Sequence, residues 1–185
     1  MALPLALLVL PLFSSEKLLS KFLWVILITS GLVLAQLRCK PVSKTITLSC
    51  FALAFGVLID LGLGAPLMKT SVLGYDPIVG ARYYGIGNEY MGAVIGALVV
   101  GTMGLLETYK GHYHRPMAPL GISGVIFSIA LLLLASPHYG SNFGGILGGY
   151  FAFFTSLLLM SNLRFRKKLL VPILLGSTTI LSLSL

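Results

Sequence analysis

The amino-acid sequence predicts an all-α fold, a polytopic transmembrane helix bundle of about six to seven helices in a single domain, residues 1–185. Composition is the first reason: 57% of the residues are hydrophobic and only 10% are charged, whereas a soluble domain averages about a quarter charged residues. Because these few polar residues cannot cover the surface of a globular protein in water, we predict that most of the chain is surrounded by lipid. Spacing is the second reason, since most apolar runs are close to the length that crosses about 30 Å of hydrocarbon as a helix.

Seven apolar segments follow one another along the chain. The opening run, 1–13, is short and contains Pro4 and Pro11, and the final run, 169–185, ends without a polar tail. Because the opening run lacks the basic residues that precede the core of a signal peptide, we interpret it as a first or partial membrane helix. The abrupt ends are also consistent with the membrane portion of a longer protein. The five firmer segments are residues 22–37, 45–66, 86–106, 119–135 and 144–160.

The basic residues predict the orientation of the bundle. Most of the 13 Lys and Arg residues lie in three alternate loops between apolar runs, and such loops face the cytoplasm under the positive-inside rule. This pattern accounts for the net charge of +8 without a nucleic-acid partner. We therefore expect a multi-pass protein of the cell membrane with a cytoplasmic N-terminus and an extracytoplasmic C-terminus. The clustered bases are Arg38, Lys40, Lys44, Lys110, Arg115, Arg164, Arg166, Lys167 and Lys168.

The run GYDPIVGARYYGIGNEYMG, residues 74–92, contains the densest group of ionisable and polar side chains. Such groups at the mouth of a membrane segment are costly and usually persist where they contact a substrate, an ion or each other. Asp76 precedes Pro77, so it either starts a turn or serves as a ligand. Arg82 presents a planar fork that suits carboxylate or phosphate, although it could equally anchor the chain among lipid headgroups beside Tyr83.

Asn88 and Glu89 are predicted to enter the first turn of the helix that follows. The helix dipole favours Glu89 there, so it is either a stabilising residue near the cap or a ligand. Asn88 would share one helix face with Gly92 and Gly96, and that face lets another helix approach closely. We therefore expect Asn88 to point into the bundle. Packing against partner helices is the default role of the two glycines.

A second polar motif, SPHYGSNFGGILGG, contains His138 and Asn142 among glycines that permit tight turns and close backbone approach. This broken helix entry is either a hairpin between close-packed helices or similar to the discontinuous helices that line membrane binding sites. The predicted topology brings it to the same membrane face as the first motif and as Asp60. The Asp60 carboxylate is either a ligand or held at the interface by water or by Lys69. We expect one joint site at this face.

Chemistry at such a site would depend on a few side chains. Glu89 and His138 are the catalytic candidates, since a carboxylate with a neighbouring His could act as a general base on a hydroxyl while Arg82 neutralises a phosphate. The sequence has no GxSxG, HExxH, CxxC or P-loop motif, which disfavours protease, redox and nucleotide-driven functions. No metal or cofactor is predicted, and Cys39 and Cys50 are expected to be free thiols.

The runs LGYDPIVGARYYGIGNEYMG and PHYGSNFGG resemble the paired motifs of an uncharacterised family of bacterial polytopic membrane proteins. Some members are joined to an extracytoplasmic domain similar to alkaline phosphatases. The resemblance covers about residues 73–149. It implies an envelope role and makes Arg82, Asn88, Glu89 and Asn142 the expected family-level site residues. The sequence contains no alkaline-phosphatase-like portion, which leaves any linked hydrolytic activity open.

Three functions are compatible with these features. The first is binding of a phosphate-bearing lipid or glycan carrier at the extracytoplasmic face, with transfer as an extension. The second is a small ion- or proton-coupled transporter or channel in which Asp60 and Glu89 bind the cation. The third is a structural membrane subunit whose glycine faces dock partner helices. The expected partners are membrane lipids and, for the first function, a lipid-linked phosphate substrate. That substrate would contact the polar residues Asp60, Asp76, Arg82, Tyr83, Asn88, Glu89 and Asn142.

Overall fold

The computed structural model describes residues 1–13, 18–38, 41–74, 85–110 and 117–161, and 83% of these residues are helical. No strand occurs among them, so the prediction of an all-α fold is confirmed. Two short 3₁₀ helices, Leu10–Leu12 and Met68–Thr70, accompany the α-helices. The α-helices in these ranges are α1 (Ala2–Val9), α2 (Leu18–Arg38), α3 (Val42–Gly62), α4 (Asn88–Lys110), α5 (Met117–Ala135) and α6 (Phe143–Met160).

Three of these helices are long and apolar enough to cross a membrane, namely α2, α3 and the first 21 residues of α4. The five firm apolar segments of the sequence correspond in order to α2 through α6. The segment 45–66 ends earlier than predicted because α3 stops at Gly62. With 8 residues, α1 extends only about 12 Å, which agrees with a partial helix and not with a full span. The final segment, 169–185, lies outside the described residues.

The central pair of the bundle is α3 and α4, which run antiparallel in close contact. A Cβ atom added at Gly101 would lie 3.2 Å from the Cβ atom of Cys50, and one added at Gly104 would overlap the hydroxyl of Thr47. Small residues therefore allow the two backbones to approach, as is common where membrane helices pack. Cys50 is a buried free thiol, as predicted, and Cys39 lies outside the described residues.

Helix α6 packs beside α4 and runs in the same direction. Its residue Gly145 lies against Met91, and Gly149 lies near Ile95 one turn further along both helices. Helix α5 completes this side of the bundle, where the buried rings of Phe127 and Phe153 stack with their centroids 4.2 Å apart. Both α4 and α6 thus begin at the same end of the bundle.

That end is formed by residues 63–74, 85–87 and 136–142, and we refer to it as the loop end. The opposite end contains the last turn of α2 and the first turns of α3, where Gln36 Nε2 donates a hydrogen bond of 2.7 Å to Ser49 Oγ. Arg38 and Lys44 lie in these turns. Successive connections therefore lie at opposite ends, as in the topology that the charge pattern predicts. Which leaflet each end faces stays a prediction.

Candidate functional site

The Asn142 side chain takes part in three hydrogen bonds at the loop end, and only 1% of its surface is exposed. It is the N-cap residue of α6, where its Oδ1 atom accepts a hydrogen bond of 2.8 Å from the backbone N–H of Gly145. Its Nδ2 atom donates to the carbonyl of Ile86 at 3.0 Å and to Oδ1 of Asn88 at 3.3 Å. Both donor hydrogens and the acceptor of the amide are used, as burial of such a group requires.

Backbone contacts reinforce this link between the two motifs. The N–H of Ile86 donates to the carbonyl of Gly140 at 2.9 Å. Gly85 has a φ of +88°, and a Cβ atom there would overlap that same carbonyl, so two independent reasons require glycine. A Cβ atom at Gly140 would lie 2.5 Å from the carbonyl oxygen of Leu133. We call residues 85–88 and 140–145 together the Asn142 junction.

The Asn142 junction brings together two of the three polar clusters that the sequence predicts to meet at one end of the bundle. It brings the motif around Asn88 into direct hydrogen-bond contact with the motif around Asn142, which lies 54 residues further along the chain. Because Asn142 is buried and fully bonded, its amide holds the two segments together and is not displayed for a ligand. Among the predicted site residues that the structure describes, those with exposed side chains at this end are Asn88, Glu89 and His138.

Asp60 has a different environment from the one expected at an interface. Its side chain is 3% exposed, and its two oxygens accept hydrogen bonds of 2.9 Å from the backbone N–H groups of Leu67 and Met68. These amides begin the 3₁₀ helix Met68–Thr70, whose unpaired N–H groups a carboxylate satisfies well. The partners of Asp60 are thus backbone amides, whereas the sequence left open a ligand role or a contact with water or Lys69. The carboxylate fixes the loop that follows α3.

Ser71 and Tyr90 form a contact that the sequence analysis did not single out. The Tyr90 side chain is fully buried, and its hydroxyl lies 2.5 Å from Ser71 Oγ. Ser71 Oγ donates its one hydrogen to the carbonyl of Leu7 at 2.8 Å, so Tyr90 is the donor in the shorter contact. This pair ties α1 and the loop after α3 to the first turn of α4. In the sequence, Tyr90 is marked only by its position next to Glu89, and nothing there links it to Ser71.

The glycine face of α4 is oriented differently from the prediction. Asn88 was expected to turn into the bundle with Gly92 and Gly96. Its side chain is instead exposed, and only its Oδ1 atom contacts a neighbouring segment, by accepting a hydrogen bond from Asn142. The side of α4 that carries Tyr90, Met91 and Ile95 faces the neighbouring helices instead. A Cβ atom at Gly92 or Gly96 would meet nothing within 4 Å. No other helix of the described ranges therefore covers that glycine face.

The remaining predicted site residues, Asp76, Arg82 and Tyr83, lie outside the described residues. Among the residues that are described, no group of three or more His, Cys, Asp or Glu side chains is placed to hold a metal ion. Among the described residues, this end presents the exposed carboxylate of Glu89, the imidazole of His138, the amide of Asn88 and the ammonium of Lys69. These groups can donate and accept hydrogen bonds at a polar headgroup. Whether Glu89 or His138 is catalytic stays a prediction.

The part of the chain that the structure describes defines the class: an all-α bundle in which three helices are long and apolar enough to cross a membrane, with a polar junction at one end. In comparisons with known proteins, the chain matches no family model, no curated protein and no solved structure at a significant level.

Proposed function

We propose that this chain is an integral membrane protein of the bacterial cell envelope that binds a phosphate-bearing lipid or glycan carrier at its extracytoplasmic face. The observation that carries the proposal is the Asn142 junction, because it holds the two polar motifs side by side at one end of an apolar bundle. Polar side chains from segments far apart in sequence thereby share one surface.

The proposed membrane topology includes the shorter helices as spans. Helices α5 and α6 have 19 and 18 residues and therefore extend about 27–29 Å, close to the thickness of the hydrocarbon core. They lie alongside α4, which is long enough to cross. Together with residues 169–185, the chain would cross six times, and its N-terminus would then lie on the same, extracytoplasmic side as its C-terminus, whereas the sequence favoured a cytoplasmic N-terminus. The loop end would face the extracytoplasmic side because the opposite end carries the clustered bases.

The proposed chemistry assigns one task to each group. Arg82 would pair with the phosphate through its planar guanidinium, which suits two oxygens at once. Asn88 and Glu89, at the exposed start of α4, would orient the headgroup by hydrogen bonds. In a transfer reaction, Glu89 or His138 would act as the general base that accepts the proton of an attacking hydroxyl, while the bond to the carrier phosphate breaks and Arg82 neutralises the phosphate that leaves.

A cation transporter that uses Asp60 is less well supported. To bind an ion, the Asp60 carboxylate would have to release the hydrogen bonds from Leu67 and Met68 that both of its oxygens accept. The exposed glycine face of α4 favours the other alternative, a subunit that docks a partner helix through Gly92 and Gly96.

Binding of phosphatidic acid to the purified protein in a maltoside detergent tests the proposed function. Native mass spectrometry would count bound lipid for the wild type and for Arg82→Ala, with diacylglycerol of the same acyl chains as the phosphate-free ligand. Charge-assisted hydrogen bonds contribute about 1.5–3 kcal/mol, so Arg82→Ala should weaken phosphatidic acid binding about 10- to 100-fold. Arg38→Ala is the matched control, since Arg38 ends α2 at the opposite end of the bundle. Equal binding by the Arg82 variant and the wild type would exclude the proposal.

A further inference from the structure

An apolar groove of about 190 Å³ lies between α3 and α5 on the outside of the bundle. Leu58, which is 4% exposed, is its deepest residue, whereas Ile59 and Ile129 are more than half exposed and form its rims. The groove is therefore open toward the medium that surrounds α3, which for a helix of this length and composition is lipid. Its lining consists of Phe55, Leu58, Ile59, Ile126, Ile129 and Leu133.

The groove leads directly to the loop end. On α3, its last lining residue, Ile59, immediately precedes Asp60, which holds the loop that follows the helix. On α5, the carbonyl of Leu133 accepts a hydrogen bond of 3.0 Å from the N–H of Gly140, a residue of the Asn142 junction. The apolar groove therefore ends at the two loops that follow α3 and α5 at the loop end.

We propose that this groove holds one acyl chain of the phosphate-bearing lipid whose headgroup binds at the loop end; the identity of that lipid rests on the proposed function above. The order of the two surfaces, apolar along the helices and polar at their ends, matches the order of chain and headgroup in a membrane lipid. An acyl chain that lies between two helices makes dispersion contacts on more sides than an acyl chain that lies against one convex helix face.

A helix from a second copy fits this groove less well than an acyl chain does. Close helix approach needs small residues at the contact, and the groove is lined by Phe, Leu and Ile alone. Glycines that are open to a helix lie outside the groove lining, for example Gly92 and Gly96 on α4 and Gly148 on α6. A thin, flexible hydrocarbon chain is the membrane component that enters between branched side chains.

Photo-crosslinking with a phosphatidic acid that carries a diazirine midway along one acyl chain tests the inference. The lipid is added to the full chain in maltoside micelles, irradiated, and mapped by peptide mass spectrometry. Crosslinks should concentrate severalfold on Phe55, Ile59 and Ile129 relative to Leu48 and Leu132, which are apolar and about 70% exposed but lie outside the groove. Crosslinks that simply follow exposure would overturn the inference, and so would crosslinks between two protein copies at the groove.

A filling variant supplies the second test. Ile129→Trp places a bulky ring in the groove and should lower the yield of groove crosslinks severalfold, whereas Leu132→Trp, one turn along the exposed side of α5, should leave it unchanged. Ile59→Trp serves if the first variant does not fold. An unchanged yield in a folded filling variant would refute the acyl-chain site. The two proposals can fail separately. If the protein still prefers phosphatidic acid to diacylglycerol but the crosslinks are dispersed, the groove is not the acyl-chain site and the proposed function stands. If diacylglycerol with the diazirine also crosslinks in the groove and Arg82→Ala has no effect on binding, the groove holds an acyl chain but the proposed headgroup function is wrong.

Discussion

The Asn142 side chain has two separable roles, as a helix cap and as a link between two segments. The cap is the bond that Oδ1 accepts from Gly145, and the link is the pair of bonds that Nδ2 donates to Ile86 and Asn88. Asn and Asp are about equally good N-cap residues. Asn142→Asp therefore preserves the cap and removes the link, because an oxygen would then face the carbonyl of Ile86.

The expected magnitude follows from the bonds that each variant loses. For Asn142→Asp, the carbonyl of Ile86 loses its donor in a buried site and a carboxyl oxygen lies against it, which costs about 2–4 kcal/mol of the free energy of unfolding. Asn142→Ala loses both the cap, about 1 kcal/mol, and the link, so we expect a similar or larger loss. The control Asn88→Asp keeps the acceptor for Asn142 and adds a negative charge at the start of α4, so it should lie within about 0.5 kcal/mol of the wild type.

Reversible unfolding in mixed micelles, followed by circular dichroism, measures these differences, and hydrogen exchange at the Ile86 amide locates them. Faster exchange at Ile86 in Asn142→Asp, but not in Asn88→Asp, would show that the link has opened, since the amide of Ile86 donates to Gly140 within the junction. If Asn142→Asp unfolds at the same free energy as the wild type, Asn142 is only a cap and the reasoning about a junction is wrong.

Two further substitutions test the packing around the site. Asp60→Asn replaces one acceptor oxygen by a donor that faces a backbone N–H, so it should reduce the free energy of unfolding by about 1–3 kcal/mol, measured in the same micelles; a stability equal to that of the wild type would contradict the assigned role. Gly104→Leu should prevent close packing of α3 on α4 at Thr47 and lower the thermal midpoint, whereas Gly92→Leu enters open space and should leave the midpoint unchanged. Equal thermal midpoints for the two variants would show that α3 and α4 do not depend on close packing at Gly104. If Gly92→Leu breaks a stoichiometric complex that survives mild extraction of the wild type, a partner helix docks on the Gly92 face.

Much of the bundle could be predicted from the sequence because helix formation in lipid depends chiefly on apolar length. The runs that became α2 through α6 are each uninterrupted by charge over most of a membrane thickness. The meeting of the two motifs could be predicted as well, since an alternating topology places every second connection at the same end. Asn142 and Asn88, named from sequence, are in direct contact.

Other features depend on information that a single sequence does not display. Helical spacing correctly placed Asn88 with Gly92 on one face, but the direction of that face is set by which neighbour packs on the opposite side, through contacts such as Tyr90 with Ser71. The partners of Asp60 are backbone amides seven and eight residues further on in an apolar loop. Backbone amides have no side-chain signature, so the sequence suggested water or a lysine instead.

The parallel course of α4 and α6 has an electrostatic consequence. Neighbouring antiparallel helices place opposite ends of their dipoles together and largely cancel, whereas these two helices begin side by side, linked through Asn88 and Asn142. Each N-terminus carries about half of an elementary positive charge, but α3 and α5 end beside them, and the C-termini of those helices carry about the opposite charge. The four backbone dipoles at the loop end therefore largely cancel, and the charge of Glu89 in the first turn of α4 adds to the cancellation. What the two helix starts offer to an approaching anion is backbone N–H groups at short range.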